Sequence, residues 1–200
     1  MTHLRRELQR FKAQMEVAEV GEIARRYFAM NSFDGILTIL GVLVGNYLAS
    51  VREPRVVITT GMTTSVSMAI SGLWGAYMTE SAERQRSLDE LEDQTLTDLT
   101  YSRLGRASRL AVVVVALVDG LAPLLASMVV LSPFFVSGLW GEVVWSYYLA
   151  VGVAMLGLFA LGAFLGSISR QSLILAGLKM VVAGVASLVV GYFLEGAIHR

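Results

Sequence analysis

Residues 33–45 read Phe-Asp-Gly-Ile-Leu-Thr-Ile-Leu-Gly-Val-Leu-Val-Gly, an apolar run with one carboxylate, Asp34, near its start. A run of this kind predicts a helix in a lipid bilayer, which about 20 apolar residues can span. An ionised Asp in hydrocarbon costs at least about 2.5–3.5 kcal/mol on insertion scales. We therefore expect the chain to set a cation, a proton or a polar cavity against Asp34.

The composition excludes several classes of protein. The 200 residues are 55% hydrophobic and 16% charged, whereas soluble domains carry about 25% charged residues. A formal net charge of zero argues against a nucleic-acid partner. The chain has no cysteine, and its two histidines, His3 and His199, lie at the termini. Known enzyme and nucleotide-binding motifs are absent, so we expect no enzyme, no permanently bound cofactor and no ATP-driven transport.

Five segments are long and apolar enough to cross a bilayer. The predicted spans are 32–50, 56–78, 110–131, 143–167 and 171–194. Inside them lie only three charged residues, Asp34, Asp119 and Lys179. The predicted fold class is therefore all-α, a polytopic membrane protein with a five-helix transmembrane domain over 27–200.

Basic residues are distributed unevenly among the segments outside the spans. Twelve would lie on one side: six in residues 1–26, five in 79–109, and Arg170. Three, Arg52, Arg55 and Arg200, would lie on the other. The positive-inside rule then predicts a cytoplasmic N-terminus and an outer C-terminus in a multi-pass protein of the cell membrane.

Two segments outside the spans are predicted to be helical. Residues 1–26 form a cytoplasmic or interfacial segment, in which apolar residues recur at helical spacing from Leu4 to Ala18. This pattern is typical of an amphipathic helix at the membrane surface, and a helix packed on protein fits it equally. Residues 79–109 carry mixed charge and form a cytoplasmic helical insert that is too short for its own core.

One face of the first span combines charge with small residues. Asp34, Thr38, Gly41 and Gly45 share that face at helical spacing. Gly41 and Gly45 form a small-xxx-small pair for helix packing, so we expect Asp34 to point into the helix bundle. The alternative is a carboxylate that caps the helix or snorkels at a nearby membrane boundary.

The second span has a polar stripe without charge. Thr60, Thr64, Ser67, Ser71 and Met78 fall on one helical face. Hydroxyls and a thioether are neutral ligands for a partly dehydrated cation. They can equally bond back to carbonyls one turn earlier or join helices.

Further carboxylates form two groups. Asp119 is the deepest carboxylate, one turn from Pro123, and Lys179 is its predicted partner in a structural or proton-coupling pair. Glu80 and Glu83 begin an acidic run just beyond the second span. Such oxygens suit divalent cations, and salt bridges along a helix have the same pattern.

The first two spans resemble the vacuolar iron transporter family of fungi, plants and prokaryotes. The first-span match is Asp34-Gly35-Ile36-Leu37-Thr38, followed by Gly41-Val42 and Gly45. The matching residues elsewhere are Arg25-Arg26-Tyr27, Ser67-Met68-Ala69 and the basic residue Lys179 early in the fifth span. Five spans and an inner N-terminus also agree with the family.

The resemblance implies a homodimer that moves Fe²⁺ or Mn²⁺ out of the cytosol by exchange for protons. It implies that Asp34 is the carboxylate of the transport path, with Thr38 on the same face. Met68 or Met78 would supply soft contacts to the metal, and Glu80 and Glu83 would line the cytoplasmic mouth.

The chain departs from the family after Ser67-Met68-Ala69. The family typically has Gly-Glu-Tyr there, whereas this chain has Ile70-Ser71-Gly72-Leu73, and a looser alignment places Ala76 at the glutamate. The alternative function is therefore a membrane scaffold or regulatory protein that keeps the family fold without metal transport.

Overall fold

The computed structural model describes residues 20–96, 98–99, 101–139 and 142–198. These residues form five α-helices and a 3-10 turn, Ser137–Leu139, and contain no strand. The helices are α1 (Val20–Leu48), α2 (Pro54–Thr95), α3 (Arg103–Phe135), α4 (Val143–Ile168) and α5 (Leu173–Ile198). Each is long and apolar enough to cross a membrane. The prediction of an all-α chain with five such helices is confirmed.

Three helices extend beyond the apolar spans. The described part of α1 begins at Val20, α2 continues to Thr95, and α3 begins at Arg103. Hydropathy detects the membrane-crossing part of a helix, whereas side-chain pairs one turn apart extend it into charged sequence. Arg86 donates to Glu90 at 2.9 Å in this way. The segment predicted as an amphipathic helix lies mostly outside the described residues.

Two tight turns are fixed by local hydrogen bonding. Ser50 (φ 56°) follows α1, and Arg170 (φ 53°) follows α4, each in the left-handed region. The next residue in each turn donates its N–H to the carbonyl five positions earlier, at 2.9 and 3.0 Å. This is the Schellman arrangement that ends a helix. In the first turn, Pro54 then begins α2, where its missing N–H costs nothing.

The chain divides into two compact units. Unit 1 comprises Met1–Phe28 and Ile70–Leu121, and unit 2 comprises Ala29–Ala69 and Ala122–Arg200. The core of unit 2 joins α1, α2, α3 and α4 through buried side chains that include Leu40, Val57, Phe134 and Leu158. A smaller cluster in unit 1 joins α1 and α3 through Val20, Ala111 and Val115.

Small residues let α4 and α5 pack closely in unit 2. A β-carbon at Gly162 would lie 2.7 Å from the Cα of Gly177. One at Gly177 would lie 2.6 Å from the ring of Phe159. Close approach at glycine is how membrane helices gain contact without a hydrophobic driving force. The last two helices therefore form a hairpin that the sequence specifies by side-chain size.

Candidate functional site

Asp34 and Gly35 have opposite environments in unit 2. The side chain of Asp34 is exposed, whereas Gly35 is buried. A β-carbon at Gly35 would lie 2.6 Å from the carbonyl oxygen of Pro123, and the Ser127 hydroxyl donates to the Gly35 carbonyl at 3.4 Å. Gly35 thus docks α1 on α3. The expectation that Asp34 points into the bundle of its own chain is wrong, because successive residues on a helix point in different directions.

The rest of the Asp34 face is also open. Thr38 is half-buried, and Gly41 and Gly45 are exposed. At either glycine, a β-carbon would meet no atom of the described chain within 4 Å. These glycines therefore pack no helix within a single described chain. Their role in helix packing stays a prediction for contact with another molecule.

Two hydroxyls of the second-span stripe bond to their own helix. Thr60 Oγ1 donates to the Val56 carbonyl at 2.9 Å, and Thr64 Oγ1 donates to the Thr60 carbonyl at 2.8 Å. Thr60 Oγ1 also accepts from Asn46 Nδ2 at 3.1 Å, which links α1 to α2. The backbone-bonding alternative therefore holds for these two threonines.

The remaining stripe residues and the methionines differ in exposure. Ser67, Ser71 and Met78 are exposed, and Met68 is half-buried. Because Met78 is more than half exposed, its thioether is open in the single chain. Ser67 and Ser71 present hydroxyls on the same open face of α2.

Glu80 is held in a polar network of unit 1. Its carboxylate accepts from the Tyr27 hydroxyl at 3.4 Å and from Arg84 Nε at 3.2 Å. Glu80 and Arg84 are half-buried, whereas Glu83 is exposed. The Tyr27 contact could not be predicted from the sequence, since 53 positions separate the two residues and helical spacing reports only on near neighbours.

Asp119 is the buried carboxylate of unit 1, with 8% exposure. A β-carbon at Gly72 of α2 would lie 2.9 Å from Asp119 Oδ2 and 3.1 Å from its backbone oxygen. Gly72 thus forms a notch for Asp119. Lys179 is exposed and belongs to unit 2, so its pairing with Asp119 stays a prediction.

The acidic run of α2 forms pairs along the helix. Arg86 donates to Glu90, and Gln85 Nε2 donates to Asp89 at 2.8 Å. The hydrogen bond to Glu90, with the negative charges of Glu90 and Glu83, raises the pKa of the Arg86 guanidinium. The salt-bridge alternative therefore describes this part of the helix.

The described residues of a single chain do not contain a complete metal site. Among residues 20–96, 98–99, 101–139 and 142–198, no three His, Cys, Asp or Glu residues are grouped so that they could hold a metal ion. Divalent hard cations take about six or more oxygen ligands. A metal bound at Asp34 would therefore need water or a second molecule to complete its ligands.

Comparison with known proteins gives one relative across most of the chain. No family model matches the sequence. The chain is similar to the uncharacterized protein MJ0645 of Methanocaldococcus jannaschii, with 28% identity over 180 residues. The aligned region covers 88% of this chain and 91% of that protein. The likeness thus extends over most of both proteins and is not confined to one motif.

Proposed function

We propose that this chain is a transporter of the cell membrane that exports a divalent metal cation, Fe²⁺ or Mn²⁺, from the cytosol in exchange for protons. It acts as a homodimer with its N-terminus in the cytoplasm. The observation that supports this proposal is the open face of α1, where Asp34 is exposed beside Thr38, Gly41 and Gly45.

The energy of an exposed membrane carboxylate favours a dimer. A charged Asp costs about 2.5–3.5 kcal/mol or more in the bilayer, and the Asp34 side chain is exposed in the described part of the chain. The open glycines Gly41 and Gly45 would let a second helix approach closely. A second copy of α1 would therefore remove the carboxylate from lipid at little steric cost.

The same contact would create a cation site. In a two-fold symmetric dimer, a residue near the axis faces its own copy. Two Asp34 carboxylates that approach each other repel unless a cation or a proton lies between them. The Thr38 hydroxyl lies on the same face and adds a neutral oxygen. The rest of the proposed path comprises Met68, Met78, Glu80 and Glu83, whose sulfur and carboxylate ligands together suit transition-metal ions.

Metal flux tests this proposal. We would reconstitute the purified chain into proteoliposomes and measure uptake of Mn²⁺ and Fe²⁺ with and without a pH gradient. Wild type should carry metal, and Asp34→Asn should lower the rate at least about tenfold, which corresponds to roughly 1.4 kcal/mol. Asp93→Asn is the matched control, because Asp93 is an exposed carboxylate beyond the predicted second span. Equal flux through wild type and Asp34→Asn would contradict the proposal.

A membrane scaffold or regulatory protein is the second candidate. It is favoured by the lack of any group of three metal-ligating side chains among the described residues. This candidate predicts a dimer through the Asp34 face but no flux above that of empty liposomes. Measuring oligomeric state and flux on the same preparation separates the two functions.

A further inference from the structure

We infer that Asp119 is a proton-binding carboxylate seated in the Gly72 notch of unit 1. The inference deepens the proposed function, on which the role of the proton as coupling ion rests. Proton binding itself requires no metal transport.

The notch brings two oxygens of one residue to the same small space. A β-carbon at Gly72 would touch both Asp119 Oδ2 and the Asp119 backbone oxygen, at 2.9 and 3.1 Å. The side chain of any residue larger than glycine at position 72 would press on these oxygens. The residue at position 72 therefore determines whether the Asp119 carboxylate can occupy its buried position.

Pro123 removes one hydrogen bond from α3 at Asp119. In α3, the N–H that would bond the Asp119 carbonyl belongs to residue 123, which is a proline and has no N–H. Asp119 thus combines a buried carboxylate with a main-chain carbonyl that does not make the regular helical hydrogen bond. Ionisable residues within membrane segments are costly and mark ion or proton pathways by default.

Charged and titratable groups from two helices lie in the same unit as Asp119. From α1, the Tyr27 phenol is acted on by the charges of both Asp119 and Glu80, and Arg26 lies 5.8 Å from the Tyr27 ring centre. From α2, Glu80 accepts from Tyr27 and from Arg84. Tyr27 thus donates a hydrogen bond to one carboxylate, Glu80, and is acted on by the charge of a second, Asp119.

The ligand count favours a proton over a metal. One carboxylate and one carbonyl from a single residue provide too few oxygens for a divalent cation. A proton needs only one carboxylate oxygen: an O–H bond forms at Asp119, its charge changes from minus one to zero, and nothing is oxidised or reduced. This neutralisation removes the cost of burying an ionised carboxylate.

The direct test is infrared spectroscopy of the protein in lipid as the pH is varied. Wild type should show a carboxylic-acid band that grows as the pH falls, and the part of it that belongs to Asp119 should be missing from Asp119→Asn. Asp93→Asn should retain the band, since Asp93 is exposed in α2. An identical pH-dependent band in wild type and folded Asp119→Asn would overturn the inference.

Two glycine variants test the inference independently of whether Asp119→Asn folds. Gly72→Ala should shift the titration midpoint of the same band, because its β-carbon would press on the carboxylate. Gly75→Ala lies one turn along α2, where a β-carbon would meet nothing within 4 Å of the described chain. It should leave the midpoint unchanged. Equal midpoints for the two variants would contradict the notch.

Proteoliposomes separate this inference from the proposed function. Asp119→Asn should retain downhill Mn²⁺ flux and lose its acceleration by a pH gradient, whereas Asp34→Asn should lose the flux. No Mn²⁺ flux in wild type would refute the proposed function and leave the titration result standing. Full proton coupling in Asp119→Asn would refute the role of Asp119.

Discussion

Two membrane helices each carry an aspartate, and the two aspartates have opposite environments. In unit 2, Gly35 packs on Pro123 while Asp34 is exposed. In unit 1, Asp119 itself is buried, in a notch formed by Gly72. The side of the helix that meets its neighbour therefore decides the role of the carboxylate. The described chain leaves the first aspartate exposed and accommodates the second in its interior.

The largest expected effect comes from disrupting the contact between α1 and α3 at Gly35, which leaves Asp34 exposed. Gly35→Leu places a side chain where a β-carbon alone would lie 2.6 Å from the Pro123 backbone. Overpacking costs about 1–3 kcal/mol when side chains can adjust, and backbone adjusts less. We expect a loss above about 3 kcal/mol in unfolding free energy, measured by thermal and denaturant unfolding in detergent.

The control for this variant is Gly41→Leu on the same helix. Position 41 is open in the described chain, so the stability of the monomer should change little. If Gly35→Leu and Gly41→Leu unfold alike, the contrast between the two faces of α1 is broken.

The next effect concerns self-association. Gly41→Leu should block the close approach of a second α1 and weaken the dimer at least about tenfold, which corresponds to roughly 1.4 kcal/mol. Energy transfer between labelled chains in lipid, measured at several protein-to-lipid ratios, reports the dissociation constant. Gly152→Leu is a matched control, since Gly152 is an exposed glycine of α4 with nothing within 4 Å of its β-carbon position. Equal weakening by both variants would show that the Asp34 face is not the interface.

A pair of leucine substitutions should change stability with opposite signs. Asp34→Leu removes a charge from an exposed membrane position and should stabilise the monomer in lipid, by up to about 3 kcal/mol. Asp119→Leu adds bulk against Gly72 and should destabilise it by about 1–3 kcal/mol. Unfolding at high dilution in lipid nanodiscs measures both. The same sign for both variants would remove the distinction between the two aspartates.

The sequence predicted the helices well and their neighbours poorly. Hydropathy located all five helices because each must hold a long apolar stretch, but it missed the charged extension of α2, which side-chain pairs such as Arg86–Glu90 support. Asp34 stood out because charge is rare in a span. Helical spacing identified its companions on α1 without revealing that no other helix of the described chain packs on Gly41 or Gly45.

Contacts between distant segments were beyond the sequence. The Tyr27–Glu80 hydrogen bond and the Gly72–Asp119 notch each join two helices, and no local pattern encodes which helices meet. The glycine at position 72 was visible as a departure from the family pattern. Its physical reason, the space that Asp119 requires, comes from the structure alone.

The smallest expected effect comes from Ser50→Gly, which should stabilise the chain in which the two aspartates are compared. Ser50 holds a left-handed φ of 56°, a conformation that costs a residue with a β-carbon about 1–2 kcal/mol. Ser50→Gly relieves that cost but gives the unfolded chain more freedom, worth about 0.4–1 kcal/mol. The net gain should lie between zero and about 1.6 kcal/mol, measured as a shift of the denaturant midpoint.

Ser169→Gly is the control, because Ser169 follows α4 with a φ of −85° and has no left-handed strain to relieve. It should destabilise the chain, through the freedom of the unfolded state and the loss of its hydroxyl bond to Leu165. Ser50 lies 16 positions beyond Asp34, about 24 Å at the helical rise. Effects at that separation add, so the difference between Asp34→Leu and Asp119→Leu should persist in Ser50→Gly. A changed difference would mean that the turn after α1 is energetically coupled to one of the two carboxylates.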